Sequence, residues 1–215
     1  MLLKCPHLSQ FSSIDHAFLN ATPDKVFPSL VTLKQVHGIK VHRITETRKD
    51  APEGDGLVTN VRGIVLGIFT ADCGPVLFYD PEANIIGACH AGWRGAKAGI
   101  LQATLREMEI LGAQRSRIHA SLGPTIQQKN YEVGPEFPDL IRESYDTYFV
   151  PSDKKGHHYF NLPLYICQQL KAEGVKGIYD IGCDTFTSYF ASRRRSLAEG
   201  YEEISIDNLS TIAII

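Results

Sequence analysis

Three short motifs contain the residues of this sequence whose types suit catalysis. The three residues and their motifs are His37 in LKQVHG (33–38), Cys73 in FTADCGPVLFYD (69–80) and His90 in GACHAGWRG (87–95). Two imidazoles and a thiolate are a ligand set that zinc accepts, and three protein ligands leave the fourth position for water or substrate. We therefore treat all three as candidate catalytic and metal-binding residues. Their spacing leaves a second interpretation open, in which Cys73 is a small buried hydrophobic residue and the histidines end strands or cap a helix.

The turn that follows His90 is a candidate for substrate binding. Gly92 and Gly95 flank Trp93 and Arg94 at the expected start of a helix, where free backbone N–H groups bind anions. Arg94 could donate two hydrogen bonds to phosphate or carboxylate, and Trp93 could stack on a base or a sugar. In the alternative interpretation, Trp93 belongs to the core and Arg94 pairs with a nearby carboxylate.

We expect different roles for two further residues, Asp55 and Cys89. Asp55, in GDGLVTN (54–60), is a candidate substrate-binding residue if it faces the pocket, and otherwise forms the tip of a plain turn. Cys89 precedes His90 on a predicted strand, so the two side chains point to opposite faces. We predict that Cys89 is buried and is not a ligand. That leaves the fourth metal position open, which favours a catalytic site over a structural one.

Apolar runs rich in β-branched residues predict several strands before the first long helix. Strands are expected at 56–60, 63–69, 75–80, 84–90, 117–123 and 177–182, with a hairpin turn at 80–84. Helices are expected at 95–112, 135–145 and 162–175. Loops are expected at 43–56 and 121–137, and the basic run Arg193–Arg195 is interpreted as a solvated turn.

This order of elements favours an α+β fold rather than a strictly alternating α/β layout. The runs at 63–69, 75–80 and 84–90 are apolar at nearly every position, so we expect them to be covered on both faces and the fold to have more than two layers. We find no repeat and no linker, and we expect one domain over residues 1–215.

Composition narrows the class of protein. The chain has 215 residues, 43% hydrophobic and 21% charged, with a formal net charge of −2. This balance argues against a general nucleic-acid or membrane binder. The five cysteines are irregularly spaced, and we find neither a signal peptide nor an apolar run long enough to span a bilayer. We expect free thiols and a cytoplasmic protein.

With these motifs assembled, the sequence closely resembles the laccase-domain or polyphenol oxidase family, also called peptidoglycan editing factors and purine nucleoside phosphorylases. The matching pieces run from about residue 30 to 195 and are KQVHG, DGLVTN, TADCGPVLFYD, HAGWRG, LGPTI with YEVG, and YFASRRR. The resemblance implies that His37, Cys73 and His90 bind a catalytic zinc, and that mixed sheets are stacked between helices in α/β/β/α layers.

The resemblance also implies an activity and its small-molecule partners. It implies phosphorolysis of adenosine, inosine, guanosine or methylthioadenosine, deamination of adenosine, and a link to editing of peptidoglycan precursors. Nucleoside and phosphate are then the partners. Three departures concern substrate preference: a short segment before KQVHG, Gln127-Gln128 where glycine-proline is common, and a tail without the usual glycine-arginine step.

Three other functions are compatible with the same residues. The first is a cysteine hydrolase or amidase with Cys73 as nucleophile and His90 as base. The second is a copper-dependent polyphenol oxidase, which we weight less because multicopper sites need many histidines and this chain has eight, although a Cys/His₂ site can also bind copper. The third is a structural metal or nucleotide-binding module.

Overall fold

The computed structural model describes residues 2–20, 28–47, 50–141, 145–201 and 207–215. The strands are β1 (Leu2–Leu3), β2 (Ile14–Leu19), β3 (Leu30–Val31), β4 (Val41–Arg43), β5 (Gly56–Thr59), β6 (Val65–Thr70), β7 (Gly74–Asp80), β8 (Ile85–Ala91), β9 (His119–Leu122), β10 (Glu132–Val133), β11 (Phe149–Pro151), β12 (His158–Phe160), β13 (Gly177–Asp180) and β14 (Asn208–Ile214). The helices are α1 (Trp93–Ala98), α2 (Ile100–Ile110), α3 (Phe137–Ile141), α4 (Tyr145–Tyr148), α5 (Leu162–Ala172) and α6 (Arg193–Ala198).

A six-stranded mixed sheet forms the centre of the described structure, in the order β13-β9-β7-β8-β5-β4. Its middle is the predicted hairpin of β7 and β8, which pair antiparallel with Pro75 opposite His90. The turn forms because the Asp80 carboxylate accepts hydrogen bonds from the backbone N–H groups of Glu82 and Ala83. The hairpin prediction is confirmed, and it brings the end of β8 beside the start of β7.

A five-stranded sheet, in the order β1-β2-β14-β6-β3, stacks behind the first. Its central strand is β14, which pairs antiparallel with both β2 and β6. Strands β10, β12 and β11 form a smaller antiparallel sheet beside them. The mixed sheets and helices confirm the predicted α+β class.

Two hydrophobic cores explain why nearly every residue of β7 and β8 is apolar. One core lies between the six-stranded sheet and helices α1, α2 and α5, and the other lies between the two sheets. On β7, Val76 and Phe78 belong to the first core, whereas Leu77 and Tyr79 belong to the second. Both faces of the strand are therefore covered, as its composition predicted.

Of the predicted α/β/β/α layers, the described residues show the helices on the six-stranded sheet and the two stacked sheets. The outer face of the five-stranded sheet borders a cavity of about 540 Å³. Small and apolar side chains of β2, β6 and β14 line it, among them Ala17, Val65 and Ala213.

No helix of the described residues is both long and apolar enough to cross a membrane.

The helix predicted over 95–112 is wrong as a single element. Gly99 has φ of +104°, in the left-handed region, and divides the segment into α1 and α2. A left-handed residue ends one helix, and glycine adopts it without steric cost. The helix predicted over 135–145 is likewise α3 in its described first part, with residues 142–144 outside the described chain. The other predicted strands and the helix predicted over 162–175 are present with ends shifted by up to three residues, whereas the segment predicted as a loop over 121–137 contains β10.

Candidate metal centre

Asp55 organises one side of the site from a fully buried position. Its carboxylate accepts hydrogen bonds from three successive backbone N–H groups, those of Val36 (3.2 Å), His37 (2.9 Å) and Gly38 (2.7 Å). These bonds hold His37 at φ of +59°, a left-handed conformation that non-glycine residues seldom adopt. The bend carries the imidazole of His37 towards the end of the β7–β8 hairpin.

The same carboxylate positions His90. Its Oδ1 lies 2.8 Å from Nδ1 of His90, near the end of β8. Burial alone would raise the pKa of Asp55, but the hydrogen bonds from His90, Gly38 and Val36 outweigh it and hold that pKa below its usual value. Ionised Asp55 therefore accepts the Nδ1 proton, so Nε2 is the ring nitrogen of His90 that a metal would bind. Asp55 lies behind the ligands, where its contacts position them, and a contact between Asp55 and substrate stays a prediction.

Cys73 lies in the short loop between β6 and β7, and its neighbour Asp72 anchors that loop. Asp72 has φ of +84°. Its backbone carbonyl accepts hydrogen bonds from the N–H of Ile126 (3.0 Å) and the hydroxyl of Thr125 (2.7 Å). Its carboxylate accepts one from the hydroxyl of Thr185 (2.6 Å) and one from the N–H of Arg194 (2.7 Å). Four bonds from three separate segments therefore fix where Cys73 points.

The three predicted ligands converge. One potential ligand atom from each of His37, Cys73 and His90 lies within 4.8 Å of the other two. Sγ of Cys73 is 3.9 Å from Nε2 of His37, and the two imidazole rings have centroids 4.6 Å apart at an angle of 72°. The donors are two imidazoles and a thiol, with one imidazole already oriented by a carboxylate, so the set fits a metal ion of the zinc type.

Charge at the cluster favours a thiolate. Burial opposes ionisation of Cys73, but hydrogen bonds and charge from His37 and His90 outweigh it and lower its pKa to about 7. Burial would lower the pKa of His90, but Asp55 and Cys73 together raise it above its usual value. The thiolate is the form of cysteine that binds metals.

Gly92 leaves the space in which the ligands meet. A Cβ atom on this residue would lie 2.7 Å from Sγ of Cys73 and 3.2 Å from Cδ2 of His37. Its φ of −71° is open to any residue, so the need for glycine here is purely one of space.

Cys89 is fully buried, as predicted. Burial raises the pKa of its thiol to about 12. It belongs to the core beneath α2 and faces away from His90.

Trp93 and Arg94 start α1. Trp93 packs against the core and also lines a cavity, so both of its interpretations are met in part, whereas the carboxylate partner considered for Arg94 is not found among the described residues. Trp93 packs against the core, with its ring centroid 4.8 Å from that of Phe137. The guanidinium carbon of Arg94 lies 4.5 Å from the Trp93 ring centroid, within the range of a cation–π contact. Both side chains also line a cavity.

Two cavities meet at the cluster. The first, which we call the Gln35 cavity, has a volume of about 730 Å³ and is lined by Leu33, Gln35, His37, Phe69, Thr70, Ala71, Cys73, His90, Arg193 and Asp207. The second, the Tyr131 cavity, has a volume of about 400 Å³ and is lined by His37, Ala71, Asp72, Cys73, Trp93, Arg94, Ile126, Tyr131, Leu162, Arg193, Arg194 and Leu197. Because both contain His37 and Cys73, a ligand in either cavity can reach the candidate metal position.

The interpretation of Arg193–Arg195 as a solvated turn is wrong. The run opens α6, with the hydroxyl of Ser192 capping the helix by accepting from the N–H of Arg195. The Arg195 guanidinium donates to four backbone carbonyls of the preceding loop, those of Thr185, Phe186, Ser188 and Phe190. Arg193 and Arg194 face the cavities instead.

Gln35 is a residue of the site that sequence reasoning missed. Its side-chain amide donates to the carbonyl of Phe69 (2.7 Å) and accepts from the N–H of the same residue (2.8 Å). It therefore joins the loop of His37 to the end of β6, from which the loop of Cys73 departs. Its place in the KQVHG motif, two residues before His37, was the signal available in the sequence.

The model of the family described as multi-copper polyphenol oxidoreductase laccase matches residues 17–202. The chain belongs to this family. Purine nucleoside phosphorylase RC0672 of Rickettsia conorii is 35% identical over 181 residues, which cover 81% of this chain and 75% of that relative. Adenosine deaminase RL5, from an unknown prokaryotic organism, is 33% identical over 189 residues, which cover 80% and 72%. The crystal structure of the hypothetical protein YfiH of Bacillus licheniformis matches with a TM-score of 0.77 and 26% identity, over 89% of this chain and 76% of that one.

Proposed function

We propose that this chain is a zinc-dependent enzyme of purine nucleosides. The reactions are phosphorolysis of adenosine, inosine, guanosine or methylthioadenosine, and deamination of adenosine. The observation that carries the proposal is the convergence of His37, Cys73 and His90 where two cavities meet. The names of the relatives from Rickettsia conorii and of RL5 supply the substrate class.

The chain's own residues prepare the site for both reactions. Asp55 keeps the proton of His90 on Nδ1 and holds the loop of His37, and Asp72 holds the loop of Cys73. His37, Cys73 and His90 would hold a zinc ion, which would supply a Lewis acid able to activate water or polarise a leaving group. Deamination exchanges the amino group at C6 of adenosine for oxygen from water and releases ammonia.

Zinc suits this site better than a multicopper centre. Within the described residues, His37, Cys73 and His90 form the one group of three or more histidine, cysteine or acidic side chains placed to share an ion. A multicopper oxidase needs several such groups. We therefore infer a single ion despite the family's description, and copper is an outcome to be tested.

Metal analysis and two assays test the proposal together. We expect about one zinc per chain in the purified protein. Inosine should yield hypoxanthine only when phosphate is present, and adenosine should release ammonia without phosphate. A strong chelator should abolish both reactions, and added zinc should restore them.

Two other results would replace the proposal. A metal-free, active protein that loses activity stoichiometrically on alkylation of Cys73 would be a cysteine hydrolase with His90 as base. Bound copper with oxidation of phenols would support the activity that the family's description suggests. The editing of peptidoglycan precursors stays a prediction, tested by incubating the protein with precursors that carry a misincorporated amino acid.

A further inference from the structure

The Tyr131 cavity differs from the Gln35 cavity in its charge. Three arginines, Arg94, Arg193 and Arg194, line the Tyr131 cavity, and Asp72 is the one carboxylate among its described lining residues. That carboxylate already accepts hydrogen bonds from Thr185 and from the N–H of Arg194. Positive charge in this cavity therefore exceeds negative charge.

Two of the three guanidinium groups, those of Arg94 and Arg193, have hydrogen-bond donors that no carboxylate of the described residues occupies. Arg194 donates to the backbone carbonyl of Glu132 (2.7 Å) and lies over the ring of Tyr131. Neither Arg94 nor Arg193 forms an ion pair with another residue of the described chain. Guanidinium groups that line a cavity without a carboxylate partner suit a tetrahedral oxyanion, to which arginine donates paired hydrogen bonds.

The Gln35 cavity shares Arg193 with the Tyr131 cavity and otherwise offers groups of another kind. The aromatic ring of Phe69, the carboxylate of Asp207 and the hydroxyl of Thr70 lie in its lining. Thr70 is 3% exposed, and its hydroxyl has no hydrogen-bond partner among the described residues. An aromatic ring, a carboxylate and an unpartnered hydroxyl suit the base and the hydroxyl groups of a nucleoside.

We propose that the Tyr131 cavity binds inorganic phosphate and the Gln35 cavity binds the nucleoside, so that the two substrates meet at His37 and Cys73. This inference rests on the proposed function and assigns its two substrates to separate places. In phosphorolysis, a phosphate oxygen forms a bond to C1′ of the ribose while the bond from C1′ to N9 breaks. The electron pair of that bond leaves with the purine, which takes up the proton that hydrogen phosphate gives up as it becomes the sugar phosphate. Deamination uses no phosphate, so the two reactions should depend differently on Arg94, which lines the Tyr131 cavity and not the Gln35 cavity.

Arg94→Gln and Arg193→Gln test the assignment, with Arg106→Gln as a control of equal charge loss. Arg106 is exposed on α2 and is not among the described residues that line either cavity. We expect each cavity variant to raise the KM for phosphate in inosine phosphorolysis about 10- to 100-fold, the usual effect of losing a hydrogen bond to a charged group. The control should match the wild type. For Arg94→Gln, the rise in phosphate KM should exceed any change in kcat/KM for adenosine deamination at least about tenfold.

Titration calorimetry of the zinc-loaded protein with inorganic phosphate gives a second, independent measurement. Binding should be weakened in the Arg94→Gln and Arg193→Gln variants and unchanged in Arg106→Gln. Equal losses in phosphorolysis and deamination for Arg94→Gln, or unchanged phosphate binding in a variant that carries both Arg94→Gln and Arg193→Gln, would overturn the assignment. A wild-type protein that binds phosphate through these arginines but splits no nucleoside would refute the proposed function while the phosphate site stands.

Discussion

At the scale of single residues, Gly92 keeps open the space beside the ligand atom of Cys73. We expect Gly92→Ala to weaken zinc binding at least about tenfold, because the new methyl group would push against Sγ of Cys73 and displace a ligand atom. Competitive titration with a chromophoric chelator measures this. Gly38→Ala is the matched control: its Cβ would make only ordinary contacts at 3.5 Å and the residue keeps its N–H bond to Asp55. Equal affinities in the two variants would show that the space beside Cys73 is not needed.

Cys73, just before β7, and Cys89, on β8, allow a second comparison between single residues. We expect Cys73→Ala to lose zinc and both activities together, since it removes a ligand. Cys89→Ala should keep its zinc and lose about 1 kcal/mol of folding stability, because it removes a buried sulfur from the core. Metal analysis and urea unfolding separate the two effects. Loss of zinc from a folded Cys89→Ala protein would contradict the ligand assignment.

At the scale of elements, Asp72 joins the β6–β7 loop to α6 and to the segment around Thr185. We expect Asp72→Ala to lower zinc affinity about 10- to 100-fold, because the carboxylate bonds are lost and alanine tolerates a positive φ poorly. Asp72→Asn should lose less, since asparagine accepts the left-handed conformation and keeps one acceptor oxygen. Cobalt-substituted protein reports on the site through its thiolate-to-metal absorption band. An unchanged band and affinity in Asp72→Ala would show that the loop needs no such anchor.

The sequence predicted the elements that have strong local patterns. Strands β7 and β8 are apolar on both faces, and the turn between them begins with Asp80, so both appear nearly where expected. The ligands could be grouped because their motifs resemble a family, while their spacing alone allowed other arrangements. Gly99 was visible in the sequence, but helices tolerate isolated glycines, so only the folded backbone shows the break.

Other parts of the site depend on contacts distant in sequence. Asp55 has turn chemistry in the sequence, and its burial follows from the folding of residues 36–38 around its carboxylate. The basic run at Arg193–Arg195 resembles any solvated charged segment until the loop before it supplies carbonyls for Arg195. Strands of two or three residues, such as β1, β3 and β10, have too few positions to show alternation.

At the scale of the whole molecule, a buried histidine links folding stability to pH. His16 of β2 is 3% exposed, and its Nε2 accepts a hydrogen bond from the N–H of Cys5 (2.9 Å). Burial, with a contribution from the charge of Lys4, lowers its pKa, and Asp15 opposes this only in part. The folded chain therefore holds His16 neutral at pH values at which the unfolded chain has taken up a proton.

We expect His16 to make the free energy of unfolding fall as pH falls below about 6.5, by up to about 1.4 kcal/mol per pH unit until the folded-state pKa is reached. This contribution is complete above the unfolded pKa and is lost on acidification. His16→Gln cannot take up a proton, so the variant should show a correspondingly shallower decline between pH 7 and 5. Urea unfolding at a series of pH values measures both proteins. Parallel curves would show that His16 is not the group responsible.

The position of β14 has a consequence for the chain during its synthesis. This strand supplies the middle of the five-stranded sheet, and its Thr211 pairs with Ala17 and with Gly67. A nascent chain that has emerged only as far as β13 holds β2 and β6 with no partner between them, and each presents an open edge to other polypeptides. Cys73 follows β6 by three residues, so we expect its loop to reach its final position only after β14 has paired with β6. Newly made chains should therefore stay receptive to chaperones until β14 has left the ribosome, and should bind zinc only after this strand has emerged.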